Sequence, residues 1–355
     1  MCIRDRADPR RAYLVQHTLL DIIILTICAV ICGAEDWVGV AAYGKQKRKW
    51  LRRFLELRNR NPSHDTLGRV FGMLSAEEFE RCFQRWIQAV FRQTKGQVVA
   101  IDGKTVRRSY DRWKGTGAIH LVSAWACANG IVLGQRKTDG KSNEITAIPE
   151  LLNLLDVSGC IVTIDAMGCQ SSIAGQIVKQ GADYLLAVKD NQPRLATDVR
   201  EFFEEPRRKQ DRTVRRHRTV EKGHGRIEER RFWTAPAPGW AGGAKEWPKL
   251  ASLVKVTSTR TIDETTTSQT RYYISSVPPD DPVRIASAIR SHWSIENALH
   301  WSLDVTFGED QSRVRIGHVA ENLALLRRLT LSLLKNEKTA KTGIATKPLT
   351  AGWND

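Results

Sequence analysis

The feature that most constrains this chain is an apolar, β-prone run that ends in an acidic residue, within Gln97–Ser109 (QVVAIDGKTVRRS). The four residues Val98–Ile101 are β-branched or small, which is typical of a strand buried on both faces. Asp102 follows directly and is expected where the strand opens into a loop. Three basic residues come next: Lys104, Arg107 and Arg108. An acid beside bases suggests a site for metal and phosphate.

A second copy of this pattern lies at Cys160–Gln170 (CIVTIDAMGCQ), where an apolar run leads into Asp165 and then Gly168. Strands of one sheet can bring such ends side by side, and two carboxylates brought together repel each other unless a cation lies between them. Either aspartate alone could equally cap a turn after a core strand. Together, Asp102 and Asp165 favour a functional site.

The charge of the chain points to a polyanionic partner. The 355 residues carry a net charge of +16, with an isoelectric point near 9.7. Such a field attracts nucleic acid, although ribosomal and membrane-surface proteins are also basic. The longest apolar run, Ile22–Ala34, is shorter than the roughly 20 residues that cross a bilayer, so it predicts a buried helix and no membrane partner. The seven cysteines form no CxxC pair, which is typical of reduced thiols in a cytoplasm.

The N-terminal part predicts a small all-helical domain. One continuous helix is expected over Trp37–Leu57, and its basic residues either face water or contact DNA phosphates. Ser63, and Ser75 with Glu78 three residues later, have the pattern of helix N-caps. The alternation of helix and turn suits binding to DNA ends, but helical packing alone explains it equally well.

After residue 95 the pattern becomes mixed α/β. A strand at 98–102 precedes two β-rich runs joined by Asn129-Gly130, a strong hairpin signal. Helix, strand, helix and strand follow as far as Val188. This order predicts a ribonuclease H-like mixed sheet flanked by helices. It disfavours a doubly wound nucleotide-binding fold, because the hairpin is antiparallel and no GxGxxG follows the first strand.

An Arg-rich, β-like stretch over about residues 204–273 predicts a β-rich insertion in this domain, punctuated by Gly and Pro. Its arginines either follow a phosphate backbone or form the polar face of a hairpin, and the sequence leaves both open. These residues are Arg215, Arg216, Arg218, Arg226, Arg230 and Arg231.

The segment Asp281–Lys335 is expected to be helical throughout, and its most polar part is Ile289–Arg313. Four polar residues recur at every fourth position there and would form one stripe on a helix: His292, Glu296, His300 and Asp304. Such a stripe is usually the solvent-exposed face of a helix. Histidines together with acids can also bind zinc, so a zinc hydrolase is a further hypothesis. HxxxExxxH is not the HExxH pattern, and no Cys or third His accompanies it at zinc-finger spacing. Zinc is therefore the weaker hypothesis.

Six motifs make the chain similar to the DDE-class insertion-sequence transposases, specifically the ISAs group that includes the H-repeat-associated proteins. They are SHDT at 63–66, AIDGKTVRRS at 100–109, TIDAMG at 163–168, VKDNQP at 188–193, GHGRIEER at 223–230 and HWSIENALHWSLDVTFGEDQSR at 292–313. The expected domains are a helical one at 7–94, a catalytic one at 95–335 and a basic tail at 336–355. Residues 1–6 look like a translated sequencing adapter.

This resemblance implies that Asp102, Asp165 and Glu296 are the catalytic, metal-binding triad. The implied cofactor is Mg²⁺, as two ions, with Mn²⁺ able to substitute. Two such ions roughly 4 Å apart can activate water or a 3′-hydroxyl and stabilise the leaving oxygen of a phosphodiester. The side chains expected to position DNA or phosphate are Lys104, Arg107, Arg108, Lys189, Arg226, His292 and Asn297.

Four acids compete for the third ligand position: Glu296, Asp304, Glu309 and Asp310. Glu296 is preferred because packing inside a helix can hold its direction, whereas Glu309 and Asp310 follow a predicted helix break and are freer to move. Asp304 lies about 12 Å further along the helix axis, too far to join the same ions. Asp304 or Asp310 is expected instead to tie the helix to Arg313 or its neighbours.

The implied function is a DNA transposase that binds the terminal inverted repeats of its element and target DNA, and catalyses strand cleavage and transfer. It would act as a homodimer on double-stranded DNA, in the cytoplasm and at the nucleoid. The alternative is a catalytically inactive DNA-binding remnant, which the intact triad disfavours. A related Tyr-Arg-Glu-Lys signature would place Tyr, Arg and Lys where this chain has Ile289, His292 and Leu303, so those three roles do not carry over.

Overall fold

The computed structural model describes residues 8–11, 13, 15–90, 97–113, 115–138, 144–209, 211–223, 225–241 and 246–354. The chain forms two compact units: unit 1 comprises Met1–Arg92, Gly103–Asn143 and Glu296–Asp355, and unit 2 comprises Gln93–Asp102 and Glu144–Ile295. The predicted adapter at residues 1–6 lies outside the described residues. The domain boundaries predicted from the sequence stay predictions.

The helices and strands alternate in a mixed α/β order. In chain order they are α1 (Leu19–Ile31), α2 (Trp37–Gln46), α3 (Arg48–Leu51), α4 (His64–Met73), α5 (Ala76–Val90), β1 (Val98–Thr105), β2 (His120–Ala126), β3 (Ile131–Thr138), α6 (Glu144–Leu152), β4 (Ile161–Ile164), α7 (Ser171–Lys179), β5 (Asp183–Val188), α8 (Pro193–Glu204), β6 (Arg215–Gly223), β7 (Arg226–Pro236), β8 (Ser252–Ile262), β9 (Thr265–Ser275), α9 (Pro282–His292), α10 (Trp301–Val305), α11 (Val319–Asn336) and α12 (Lys347–Trp353). In the part of the chain that the structure describes, none of these helices is both long enough and apolar enough to span a membrane.

The strands follow the order β3-β2-β1-β4-β5-β9-β8-β7-β6. β1, β4 and β5 are parallel, and β2 and β3 form the predicted antiparallel hairpin. The order β3-β2-β1-β4-β5 confirms the predicted ribonuclease H-like mixed sheet. The predicted β-rich insertion is also confirmed: β6 to β9 form an antiparallel meander that joins the sheet where β9 pairs with β5.

Helices α4 and α5 of unit 1 begin where the sequence predicts. The hydroxyl of Ser63 accepts a hydrogen bond from the backbone N–H of Thr66, and that of Ser75 accepts one from the N–H of Glu78. Each bond satisfies an N–H that would otherwise lack a helical acceptor. The predicted N-caps of α4 and α5 are therefore confirmed, as is the burial of α1.

The single helix predicted over Trp37–Leu57 is wrong. The chain breaks between α2 and α3 and turns again after α3. Asp21 in α1 explains the second turn, because its carboxylate accepts hydrogen bonds from the backbone N–H groups of Glu56 and Leu57, both at 3.1 Å. Leu57 lies in the left-handed region, with φ of 43°. A long-range contact thus overrides the local helical pattern.

The predicted continuous helix Asp281–Lys335 is also wrong. After α9 the chain forms a π-helical turn at Ile295–His300, then α10, then a 3₁₀ turn at Glu309–Gln311. Gly308 and Gly317 have φ of +57° and +54° and interrupt the helix on either side of that 3₁₀ turn. A Cβ at Gly317 would lie 2.4 Å from the carbonyl oxygen of Gly72, so this close approach requires glycine.

A buried apolar cluster fixes α9 against the sheet of unit 2. Ile161 of β4 and Leu185 of β5 belong to the same cluster as Ile285 and Ile289 of α9, and Phe232 of β7 completes it. Each of these side chains is almost fully buried, and burial of one such side chain is worth about 1.5–3 kcal/mol. The packing sets the position of His292, the last residue of α9.

Candidate active site

Two aspartates follow the last matched residues of neighbouring parallel strands in unit 2. The register of β1 and β4 ends with Ile101 opposite Ile164. Asp102 and Asp165 are the next residues, so the register carried one residue further sets them side by side, at the roughly 4.8 Å spacing of paired strands. Both side chains are half-buried. The strand pairing thus sets two acidic residues that are far apart in the sequence at neighbouring positions of the sheet.

The prediction that β1 opens into a loop at Asp102 is wrong, because the strand continues to Thr105. The hairpin of β2 and β3 keeps this part of the chain extended. The N–H of Val106 donates to the carbonyl of Ile119, and the hydroxyl of Thr105 lies 2.8 Å from Nδ1 of His120. Asp102 is therefore held inside a strand and not in a loop.

A tight turn orients the carboxylate of Asp165. Its Oδ1 accepts hydrogen bonds from the backbone N–H groups of Met167 at 3.0 Å and Gly168 at 3.4 Å, the geometry by which Asx side chains close turns. A Cβ at Gly168 would lie 2.3 Å from Cγ2 of Ile164, so only glycine fits. Gly168 belongs to the pattern found in the sequence, but its close approach to Ile164 was not predicted.

The loop after β5 closes on this turn. The side-chain amide of Asn191 donates to the carbonyl of Ala166, and that of Gln192 donates to the carbonyl of Cys169 at 2.9 Å. Both residues belong to the VKDNQP motif, from which the sequence analysis selected only Lys189. Asn191 and Gln192 could have been identified from the sequence, because two adjacent amide side chains lie between a strand and the proline that starts α8.

His292 lies against the strand that Asp165 follows. Its Nδ1 is 2.9 Å from the hydroxyl of Thr163, which lies in β4, two residues before Asp165. Burial lowers the pKa of His292 to about 4, although the charge of Asp165 acts in the opposite direction. The imidazole is therefore neutral at neutral pH and can make hydrogen bonds without adding charge. Thr163 was not predicted as a site residue.

In unit 1, Lys104 is buried in a cluster of carboxylates. Its Nζ lies 2.7 Å from Oδ1 of Asp304, 3.0 Å from Oδ1 of Asp310 and 3.7 Å from Oε2 of Glu309. Burial raises the pKa of Asp304, and Lys104 opposes that shift. Arg313 or a neighbour was predicted as the partner of Asp304 or Asp310. In the structure Lys104 pairs with both acids. Its predicted phosphate contact stays a prediction.

The expectation that Glu309 is free to move is wrong. Its side chain is fully buried, and Oε1 lies 2.7 Å from Nη1 of Arg328, which is also fully buried. The left-handed Gly308 starts the 3₁₀ turn and directs Glu309 inward. Glu309 is therefore committed to an internal ion pair.

Glu296 and Asn297 are exposed on the π-helical turn. π-helical turns are rare and occur frequently at functional sites. The widened turn also means that the regular α-helical stripe predicted for His292, Glu296, His300 and Asp304 does not apply here. The roles predicted for Glu296 and Asn297 stay predictions.

The other predicted phosphate-binding residues lie at the surface, several of them beside acids. Arg107, Arg108 and Lys189 are exposed, and Nε of Arg107 lies 3.3 Å from Oδ2 of Asp310. Lys189 lines a cavity of about 160 Å³ together with Arg200 and Arg271.

The arginines of the insertion pair with glutamates of the same hairpin. The ion pairs are Arg218 with Glu229, Arg226 with Glu228, Arg230 with Glu221 and Glu228, and Arg231 with Glu229. These pairs favour the polar face of a hairpin for those four arginines.

The two aspartates of unit 2 suit magnesium by ligand type, since Mg²⁺ prefers carboxylate oxygens and keeps several waters. Among the residues that the structure describes, no three His, Cys, Asp or Glu side chains are grouped closely enough to hold a metal ion. Asp102 and Asp165 are therefore two suitable ligands for Mg²⁺. The third ligand stays a prediction.

Comparisons with known proteins identify the family of the chain. Residues 93–333 match the family described as "Transposase DDE domain", and residues 2–87 match the one described as "DDE_Tnp_1-associated". The chain belongs to the DDE transposase family. The resemblance drawn from the six motifs is thereby confirmed.

Two relatives from Escherichia coli are similar over almost the whole chain. The "H repeat-associated putative transposase YhhI" of strain K12 is 42% identical over 96% of this chain and 91% of its own length. The "Putative transposase YncI" of strain O157:H7 is 43% identical over 96% of this chain and 88% of its own length. Among solved structures, the piggyBac transposase synaptic complex with hairpin DNA has 11% identity and a TM-score of 0.43, covering 97% of this chain and 73% of that one.

Proposed function

We propose that this protein is an active DNA transposase, which binds the ends of its insertion sequence and catalyses metal-dependent strand cleavage and strand transfer. The observation that carries the proposal is the register of β1 and β4, which ends with Ile101 opposite Ile164 and, carried one residue further, sets Asp102 beside Asp165. Two carboxylates at that spacing repel each other unless a cation lies between them. Asp102 lies within β1, which continues to Thr105, so no turn directly follows it that would need a cap.

Asp102, Asp165 and Glu296 are the proposed metal ligands. When bound, two Mg²⁺ or Mn²⁺ ions would activate the attacking hydroxyl and stabilise the leaving oxygen. Asp165 is preoriented, because the N–H groups of Met167 and Gly168 hold its Oδ1. Glu296 is supported by the family resemblance and by its exposure on a π-helical turn.

His292 is proposed as a positioning residue beside Asp165. Because its pKa is lowered to about 4, the imidazole does not compete with a cation for the carboxylate as a protonated histidine would. Its contact with Thr163 fixes the ring against β4. Arg107, Arg108, Lys189, Arg226 and Asn297 are proposed to contact the DNA.

The proposed partners are the two terminal inverted repeats of the element and the target DNA. The net charge of +16 supports a polyanionic partner. We also propose that two copies act together on the paired ends, and that the protein works in the cytoplasm at the nucleoid.

The test is incubation of the full chain with DNA that carries the element ends, with Mg²⁺, followed by separation of the strands on a denaturing gel. Cleavage at the ends is expected. Asp102→Asn and Asp165→Asn should abolish cleavage and retain DNA binding, because these ligands serve the metal ions. Asp263→Asn is the matched control, since Asp263 is exposed at φ of 50°, a conformation that asparagine tolerates. Binding without cleavage by the wild-type chain would indicate an inactive remnant.

A further inference from the structure

The loop that follows β1 displays a tryptophan almost completely to solvent. Trp113 is 97% exposed, whereas Trp125 is 1% exposed in the core of the same unit. Leaving a large apolar side chain in water forgoes about 1.5–3 kcal/mol of burial free energy. Single exposed apolar residues are common, so the case for a function depends on how the loop is built and what surrounds it.

The loop is a closed, hydrogen-bonded turn. The backbone N–H of Asp111 donates to the carbonyl of Thr116 at 2.9 Å, and the N–H of Thr116 donates back at 3.0 Å. Oδ1 of Asp111 accepts the N–H of Trp113 at 3.0 Å. Gly115 supplies the left-handed conformation of the turn, with φ of +63°. Defined contacts therefore hold Trp113 at the tip of the loop.

The base of the loop is cationic. The guanidinium carbons of Arg112 and Arg315 lie 5.4 and 5.1 Å from the ring centroid of Tyr110. Nε of Arg315 also donates to the carbonyl of Arg108 at 3.3 Å. Arg107, in the preceding turn, has an 80% exposed side chain, and its Nε lies 3.3 Å from Oδ2 of Asp310. The carboxylate of Asp111, the acid of the loop, accepts the N–H of Trp113.

We propose that this loop is a DNA contact in which Trp113 stacks on a base exposed at an unpaired or distorted step, while Arg108 and Arg112 face the adjoining phosphates. Base stacking on an aromatic side chain is worth about 1–3 kcal/mol and tolerates any sequence, because every base has a π-face. A protein partner would require a broader apolar patch than one ring, and a bilayer surface would require an amphipathic helix or a lipid anchor. The inference rests on the proposed function, because it takes DNA as the substrate.

The experiment compares two short labelled duplexes of the same sequence. One is fully paired, and the other has a single 2-aminopurine opposite an abasic site. Binding to the full chain is measured by fluorescence anisotropy in EDTA, where cleavage cannot occur. The wild-type chain should prefer the duplex with the unpaired base by about tenfold, and Trp113→Ala should lose that preference. Trp113→Phe should keep most of it.

The matched control is Trp353→Ala, which removes another exposed tryptophan, 75% exposed in α12; this variant should behave as wild type. Quenching of the 2-aminopurine on binding should also depend on Trp113 and not on Trp353. The proposal would be wrong if Trp113→Ala kept the wild-type preference for the unpaired base. It would also be wrong if Trp113→Ala bound both duplexes as the wild type does but lost binding to phosphatidylserine vesicles. Because the assay contains no divalent cation, a failure of the proposed catalysis would leave its result unaffected.

Discussion

Oε1 of Glu309 lies 2.7 Å from Nη1 of Arg328, and neither side chain has any exposure to solvent. Nζ of Lys104 lies 3.7 Å from the other oxygen of Glu309. This network ties the end of β1 to the 3₁₀ turn and to α11, all within unit 1. Glu309, which the sequence offered as a candidate third metal ligand, is thus buried in the interior.

Glu309→Gln should destabilise the fold by about 3–5 kcal/mol, because it leaves the charge of Arg328 buried without its partner. Urea unfolding followed by circular dichroism measures this change. Glu150→Gln, at an exposed position of α6, should stay within about 0.5 kcal/mol of wild type. If Glu309→Gln unfolded at the wild-type midpoint, the ion pair would have no structural role.

Lys104→Gln separates an internal role of this lysine from its predicted phosphate contact. Because three carboxylates surround the ammonium group, the variant should lose about 3–5 kcal/mol of stability. The slope of log affinity for DNA against log salt should stay unchanged at a temperature where both proteins are folded. A slope reduced by about one unit, with normal stability, would instead support the phosphate contact.

The strands and the starts of two helices could be predicted because their signals are local. The apolar runs, the Asn129-Gly130 turn and the serines before α4 and α5 each act within a few residues. The pairing of Asp102 with Asp165 was also accessible, because two strands with the same apolar-to-acid pattern suggested neighbours in one sheet. The continuation of β1 to Thr105 could not be predicted, because it depends on hydrogen bonds to the neighbouring hairpin of β2 and β3.

The surroundings of the site were not predictable, because they depend on contacts between distant residues. Thr163 and His292 are 129 residues apart in the chain and 2.9 Å apart in space. Arg328 and Glu309 meet only because α11 packs into unit 1. The π-helical turn around Glu296 has no periodic signature that distinguishes it from an α-helix in a single sequence.

DNA binding should weaken steeply as salt increases. A chain with a net charge of +16 that contacts phosphates releases condensed counterions, and each phosphate neutralised adds about −0.9 to the slope of log affinity against log salt. Anisotropy titrations at several salt concentrations measure this slope. A flat plot would mean that the basic surface does not contact the backbone.

Gly168→Ala should impair both stability and cleavage. The added Cβ would meet Cγ2 of Ile164 at 2.3 Å, so the turn that orients Asp165 must shift, at a cost of about 1–3 kcal/mol. The matched control is Gly175→Ala in α7, where the nearest atom is 3.6 Å away. That variant should be more stable by about 0.5–1 kcal/mol, because alanine favours a helix. Equal behaviour of the two variants would show that the turn tolerates a side chain.

The last prediction concerns the third metal ligand. Glu296→Gln should remove Mg²⁺-dependent cleavage of element-end DNA and leave the unfolding midpoint unchanged, because Glu296 is exposed and has no place in the buried network of Glu309. Cleavage in the wild type should also stop with EDTA and return with Mn²⁺. Glu150→Gln is again the control and should cleave normally. Glu309→Gln does not serve as a control for cleavage, since that variant should lose activity by unfolding. If Glu296→Gln cleaved at the wild-type rate, while Asp304→Asn lost cleavage with an unchanged unfolding midpoint, the third ligand would be Asp304, even though Asp102 and Asp165 could still be the other two.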